Sequence, residues 1–337
     1  MSYKITVTPS GHSFEVENNE TVLDAALEHG LAFPYGCRSG KCGSCVSRLL
    51  TGEVTYQKGF TPKEEDIKNN KVLLCQAIPK SPLEIEVAEV ESTEGLEVRT
   101  LPARVEMLDK LNHDVMAMKL KLPDSERLQF LAGQYINILL KDGEKRAYSI
   151  ANAPHDDQFI ELHLREVPGG FFSNLVFHEM KEKAMLRLEG PLGSFFLREK
   201  STRPIILMAG GTGFAPVKAI VEHAIASKIS RPIHIFWGVR SKQDLYHHGL
   251  ANQWAENHNN IEYIPALSEP LPEDKWGGET GFVHDVVIKK FPNMSPYDVY
   301  LCGPPPMIDA GKKAFLARGL SEDRLFFDSF EFSHASS

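Results

Sequence analysis

No long apolar run occurs in the 337 residues. The first residues, Met1-Ser2-Tyr3-Lys4-Ile5-Thr6-Val7, alternate in character, so no signal peptide is expected. No stretch approaches the roughly 20 residues of a membrane span. The expected compartment is therefore the cytoplasm, with no membrane partner. Positive charge is short as well. Lys and Arg number 37 against 45 Asp and Glu, a net charge of −8, with a pI near 5.9. Non-specific nucleic-acid binding needs a basic face, so nucleic acid is not an expected partner. There are five cysteines, which is no secreted disulfide framework. The chain lacks internal repeats, low-complexity tracts, a Gly-Lys-Ser/Thr phosphate loop and a G-x-G-x-x-G fingerprint. His234, His247, His248, His258 and His284 show no metal-ligand spacing with an accompanying acid, and read as surface or packing residues.

What is present is ordinary in bulk and specific in detail. Hydrophobic residues make up 42% and charged residues 24%, which suits a globular chain of two or three domains. Residues 36–45 are Gly-Cys-Arg-Ser-Gly-Lys-Cys-Gly-Ser-Cys, and Cys75 follows. Cys37, Cys42, Cys45 and Cys75 make the C-x4-C-x2-C…C spacing of a plant-type [2Fe–2S] site. Gly36, Gly40 and Gly43 suit a loop that turns sharply and aims backbone N–H groups at sulfur. The alternative is a structural zinc site, although zinc knuckles usually pair two short cysteine spacings and Cys75 stands alone. Residues 1 to about 92 resemble plant-type ferredoxins. That segment holds nine Lys and Arg against thirteen Asp and Glu, a surplus that fits either an acidic docking surface or plain solubility.

Along the chain, 3–8 and 13–17 read as strands around Ser10-Gly11. Thr21 reads as a helix N-cap, with Gly30 beyond the helix end. Short strands at 46–50 and 53–55 follow, then an acidic helix at 62–69 and a closing strand at 83–90. Residues 1–92 form the first domain, a β-grasp by the resemblance, and 93–101 a linker. Six β-like segments at 102–108, 114–121, 135–140, 146–151, 159–164 and 185–189 suggest an antiparallel barrel over 102–200. Gly133 and Asp142-Gly143 break this series. From 201 to 337 strands alternate with helices, which implies a parallel sheet covered on both faces. The apolar run Ile205–Met208 suits a strand buried on both sides. Helices are expected over Ala215–Ser227, Gln243–Asn257, Val283–Lys290 and Pro306–Gly319. The fold class is thus multidomain, α+β and α/β.

Arg146-Ala-Tyr148-Ser149, Gly169-Gly170-Phe-Phe-Ser173, Gly190-Pro-Leu-Gly193 and Gly210-Gly211-Thr212-Gly213 are weak signals singly. In this order they resemble the ferredoxin–NAD(P)H reductase superfamily over about 100–337. The resemblance implies FAD, with FMN the lesser option. Arg146 suits a diphosphate oxygen, because its planar fork matches phosphate geometry. Tyr148 and Ser149 are implied to line the flavin. Gly169, Gly170 and Ser173 border a helix start that favours phosphate. Gly210–Gly213 lies where an α/β sheet binds a nucleotide, and Thr212 is implied to sit by the nicotinamide. Arg240, Ser241 and Lys242 suit a 2′-phosphate, whereas Asp244 opposes it or accepts a ribose hydroxyl. NADH is expected, with NADPH the alternative. Cys302, in Cys-Gly-Pro-Pro-Pro, is implied to lie beside the nicotinamide during hydride transfer, against the plainer reading of a core cysteine. Phe327–Phe332, with Phe330 at its centre, either covers the flavin or closes the sheet. Ser149, Thr212 and Cys302 are the expected catalytic set.

The domain order implies electron flow from NADH through flavin to the cluster and on to an acceptor protein. It resembles the reductase components of bacterial aromatic-ring and methane oxygenases, and also the CDP-6-deoxy-glucoseen reductases of deoxysugar biosynthesis. RAYSIANAP (146–154) and GGTGFAPVK (210–218) are nearer the second. The implied acceptor is a pyridoxamine-phosphate-dependent dehydrase or an oxygenase component. A non-catalytic zinc-binding module remains as the alternative of another class.

Overall fold

The computed structural model describes residues 2–89, 96–141 and 143–330. Residues 93–95 of the expected linker, Val90 of the expected closing strand, Asp142, Glu331 and Phe332 lie outside the described residues. The chain forms two compact units, one up to Leu96 and one from Glu97.

In the first unit Tyr3–Thr8 pairs antiparallel with Ser13–Val16 and parallel with Leu83–Glu86. Val46–Thr51 and Lys71–Leu73 complete the sheet on the Leu83–Glu86 side. Alternation decides which faces are buried. Ile5 and Val7 point inward to meet Phe14 and Val16. The helix Val22–Glu28 packs its buried Val22, Leu23, Ala25 and Ala26 on this core, and Thr21 caps it by accepting from the Asp24 N–H. Removing such a cap costs about 1 kcal/mol. A two-stranded ribbon, Val54–Tyr56 with Ala77–Pro79, flanks the last cysteine.

The second unit begins with six antiparallel strands in the order Lys145–Ser149, Tyr135–Leu139, Met185–Leu192, Arg99–Lys110, Val115–Lys121 and Ile160–Arg165. A bridge between Ile150 and Leu162 joins the two outer strands and closes the barrel. Its first strand starts at Arg99, inside the span read as linker. A parallel sheet follows, in the order Glu279–Thr280, Ile261–Leu267, Ile233–Val239, Ile205–Gly210, Asp298–Gly303 and Leu325–Ser329. All six residues of Ile205–Gly210 are buried, as the unbroken apolar run predicts. Helices Phe214–Ala226, His248–Asn257, Val283–Lys290 and Pro305–Leu316 cover this nucleotide lobe.

One expected helix is shorter than its pattern. The segment read as helix from Gln243 starts at His248, after a single turn at Lys242–Asp244. Ser241 and Asp244 form a capping box that closes that turn first. The chain then turns its Tyr246 and His247 side chains inward before the helix begins. Phe330 follows the last strand, and its N–H donates to the Gly303 carbonyl.

Candidate functional site

The cysteine loop wraps its own sulfurs with backbone. Cys42 and Ser39 N–H groups point at Cys37 Sγ at 3.3 and 3.4 Å, while Cys37 and Ser44 N–H groups point at Cys42 Sγ at 3.4 and 3.5 Å. Gln76 donates to the Arg38 carbonyl at 3.0 Å and lies 3.8 Å from Cys75 Sγ. Gly40 has φ +77°, and a Cβ there would sit 2.3 Å from the Phe60 ring. The thiols interact as two pairs. The Cys42 hydrogen bond pulls Cys37 down to about 4 against the effect of burial, and raises Cys42 in turn. Cys45 and Cys75 behave alike, with Cys75 lowered and Cys45 raised by their shared hydrogen bond.

Two pairs of thiols match two irons. A zinc tetrahedron would hold all four sulfurs about 3.8 Å apart, given zinc–sulfur bonds of about 2.3 Å. Among the described residues, no group of three cysteine sulfurs falls within 4.8 Å of one another. The donor chemistry and the directed N–H groups therefore fit a [2Fe–2S] cluster. Arg38, Ser39 and Lys41 are exposed around the loop, with Arg38 paired to Asp24.

In the second unit the expected flavin and nicotinamide residues come together. Ser149 is buried at the end of its barrel strand, and its hydroxyl donates to Asp328 Oδ2 at 3.2 Å. Asp328 stands opposite Cys302 in the parallel register of the last two strands. Cys302 is fully buried, and its thiol donates to the Gly213 carbonyl at 2.9 Å. Burial first, then the Asp328 charge, pushes that thiol well up. Thr212 lies in the tight turn Gly211–Gly213 that leads into Phe214–Ala226. The structure thus joins Ser149, Cys302 and the Thr212 turn through one carboxylate and one carbonyl. Asp328 was missed by the sequence reading, which attended to the aromatics around it.

The other expected residues have mixed positions. Tyr148 packs on Phe172 with ring centroids 5.8 Å apart, and burial raises its phenol. The Arg146 fork pairs with Glu144, so it reaches an acidic oxygen beside its strand. Gly169 has φ +75° in an open turn. A Cβ on Gly170 would meet Ser173 Oγ at 2.6 Å. The Ser173 hydroxyl accepts from Val167 N–H and donates within the same turn, so it shapes the loop. Gly213 has a packing role, since a Cβ would lie 2.2 Å from the Cys302 carbonyl. At Gly210 a Cβ would meet Met307 Sδ at 2.6 Å.

At the turn expected to face the ribose, Arg240 and Lys242 are exposed and Ser241 is buried, donating to Asp244. Carboxylates crowd this rim. Asp244 accepts from the Ser241 N–H and Asp274 from the Lys242 N–H. His113 also faces Asp244 at 3.6 Å.

A buried polar cluster whose members are far apart along the chain lies between barrel and nucleotide lobe. Glu161 and His163 come from the barrel, Lys218, Tyr246 and His247 from the lobe. His247 is within metal-ligand range of Glu161 and His163, which spacing along the chain could not show. The Lys218 ammonium, 3.4 Å from Glu161, already supplies positive charge there.

Comparison with known proteins agrees with this architecture. Residues 5–80 match the 2Fe-2S iron-sulfur cluster binding domain, 102–197 the oxidoreductase FAD-binding domain and 207–313 the oxidoreductase NAD-binding domain. The CDP-6-deoxy-L-threo-D-glycero-4-hexulose-3-dehydrase reductase of Yersinia pestis is 40% identical over 98% of this chain and 99% of its own. Reductase component 1 of the Comamonas terephthalate 1,2-dioxygenase is 35% identical, with both chains covered in full. The crystal structure of the Amycolatopsis cytochrome P450 reductase GcoB superposes with a TM-score of 0.78 at 32% identity, over 97% of this chain and 98% of that one. The chain belongs to the family of NAD(P)H-dependent iron–sulfur flavoprotein reductases, which join a 2Fe–2S ferredoxin domain to FAD- and NAD-binding domains.

Proposed function

We propose that this reductase uses NADH and delivers electrons to a pyridoxamine-phosphate-dependent dehydrase acting on a CDP-linked deoxyhexulose. The observation that carries the acceptor is the near end-to-end similarity to the Yersinia dehydrase reductase, at 40% identity against 35% for the terephthalate dioxygenase component. An oxygenase component is the second reading, supported by that same dioxygenase relative. When bound, the flavin takes hydride from the nicotinamide and the cluster passes electrons on singly. The protein's part is placement. Arg146, Gly169 and Gly170 would hold the flavin diphosphate, with Ser173 shaping their turn. Tyr148 and Ser149 would face the flavin ring. Gly210–Gly213 and Phe330 would border the nicotinamide, with Cys302 behind it. Cys37, Cys42, Cys45 and Cys75 would hold the cluster.

NADH is favoured by the acidic rim of the ribose turn. The Asp244 and Asp274 carboxylates are held at this turn beside Arg240 and Lys242, and a carboxylate there repels a doubly charged 2′-phosphate while it can accept from a ribose hydroxyl. The expected kcat/KM ratio favours NADH over NADPH by about tenfold or more. The acceptor is tested by mixing the purified protein with the dehydrase, its CDP-hexulose substrate and NADH. Coupled NADH oxidation and deoxysugar formation support the reading. Coupling only to an oxygenase component would replace it with the second.

A further inference from the structure

The strand Ile160–Arg165 alternates apolar and polar residues. Glu161, His163 and Arg165 share one face. That face is covered by the nucleotide lobe. His163 is fully buried, and its Nε2 lies 3.0 Å from Glu161 Oε1. Its Nδ1 lies 3.1 Å from the Tyr246 hydroxyl. An ionised Glu161 accepts a hydrogen bond from Nε2–H, which leaves Nδ1 to accept from the Tyr246 hydroxyl.

From the other side comes Lys218, buried on the helix that follows the Gly211–Gly213 turn. Its ammonium donates to the Ala151 carbonyl at 3.2 Å and to Glu222 at 3.0 Å. It also lies 3.4 Å from Glu161. Ala151 is two residues past Ser149, at the seam where Ile150 bridges Leu162. The contacts continue inward. Tyr246 packs edge-on against Trp237 at 5.0 Å, and Trp237 Nε1 donates to the Gly211 carbonyl at 3.0 Å. One unbroken set of contacts therefore runs from the Ser149 strand to the Thr212 turn.

We propose that the Lys218–Glu161–His163–Tyr246 network is a latch that fixes the nucleotide lobe on the flavin barrel, with Lys218 as a positioning residue for hydride transfer. Hydride transfer is sensitive to ångström misplacement of its two partners, and this network spans the joint that sets their spacing. The inference rests on the nicotinamide meeting the flavin between Thr212 and Ser149. A wild-type protein whose flavin NADH fails to reduce would sink that underlying reading. The latch is judged on variants of a wild type that is reduced.

The latch also explains the protonation state it needs. His163 is held low by burial first, opposed by Glu161 and helped by Lys218. The groups facing it are Glu161 and Arg165 on its strand, Lys119 and Asp114 on the neighbouring strand and its lead-in, Lys218 and Glu222 on the helix, and Tyr246 and His247 from the turn. Removing the Lys218 charge leaves the pull of Glu161 on His163. A second proton on His163 then makes Nδ1 a donor and forces the Tyr246 hydroxyl to turn away.

The experiment is anaerobic stopped-flow reduction of the flavin by NADH in the full chain. Lys218→Met is expected to lower the limiting rate about tenfold or more, with FAD content and half-saturating NADH within about twofold. Its rate is expected to start falling on the acid side at a higher pH than wild type does, as His163 moves back up toward its ordinary value of 6.5. Lys218→Arg restores most of the rate. Tyr246→Phe, which removes only the hydroxyl, lowers it about threefold or more. Wild-type rates and wild-type pH profiles in Lys218→Met and Tyr246→Phe overturn the latch. So does a pH-independent loss in Lys218→Met that arginine does not restore, the mark of a packing defect. If Lys218→Met does not fold or loses FAD, a wild-type rate in Tyr246→Phe alone overturns it.

Discussion

Cys302 is a buried residue whose packing and proposed place behind the nicotinamide can be told apart. Its thiol is sealed from solvent and donates to the Gly213 carbonyl, while Asp328 beside it accepts from Ser149. A plain core cysteine would tolerate alanine at the cost of a small cavity. A cysteine that seats the 211–213 turn against the flavin strand would not. Cys302→Ala is expected to lower the limiting rate of flavin reduction by about tenfold or more, with FAD content unchanged. A wild-type rate in rapid mixing would return Cys302 to the core. At this scale the sequence was legible where chemistry is local. Cys37, Cys42 and Cys45 announce themselves by spacing within one loop. Glu161, His163 and Arg165 do not, because an alternating strand reads as half-exposed and nothing in its pattern says that another lobe covers the polar face. Lys218 was hidden for the same reason, since a lysine on a helix reads as solvated.

At the scale of elements, the turn between Ile205–Gly210 and Phe214–Ala226 shows that glycines in one motif answer different demands. Gly211 takes φ +54°, a backbone need. Gly213 has no room for a Cβ, because the Cys302 carbonyl would be 2.2 Å away and both atoms belong to packed backbone. At Gly210 the nearest atom is the end of the flexible Met307 side chain. Gly213→Ala is therefore expected to destabilise the second unit by about 3 kcal/mol, a fall of about 6–12 °C in Tm. Gly210→Ala should cost less, since the atoms in its way are the Met307 side chain and, at 2.9 Å, the Pro304 ring rather than a backbone carbonyl. Differential scanning calorimetry of the two variants checks the order, and equal losses would show that the carbonyl yields. The motif itself was legible as a strand–turn–helix nucleotide site. The start of the helix after the ribose turn was not, because polar periodicity continues through Gln243 while the Ser241–Asp244 capping box ends one turn and the Tyr246–His247 segment turns inward.

At the scale of the whole molecule, two units with separate cores divide the electron path. The first owns the thiol loop and a core built from Ile5, Val7, Phe14, Val22 and Leu23. The second owns every residue assigned to flavin and nicotinamide, with its own cores in barrel and lobe. The hydrogen bonds of the Cys42 sulfur, to Cys37 and Ser44, lie within its own loop. Serine there replaces a thiolate with a hydroxyl that is a far weaker iron ligand, since thiolate is the form that binds the metal. Cys42→Ser is expected to lose cytochrome c reduction by about tenfold or more, while NADH-driven ferricyanide reduction stays within about twofold. Iron and labile sulfide should fall together in the variant, with FAD unchanged. Equal loss of both activities would mean that the flavin side needs the cluster unit intact. A wild-type protein that holds zinc in place of iron and sulfide would instead remove the exit from the path, leaving a flavin reductase whose electrons reach small oxidants but no protein partner through this loop.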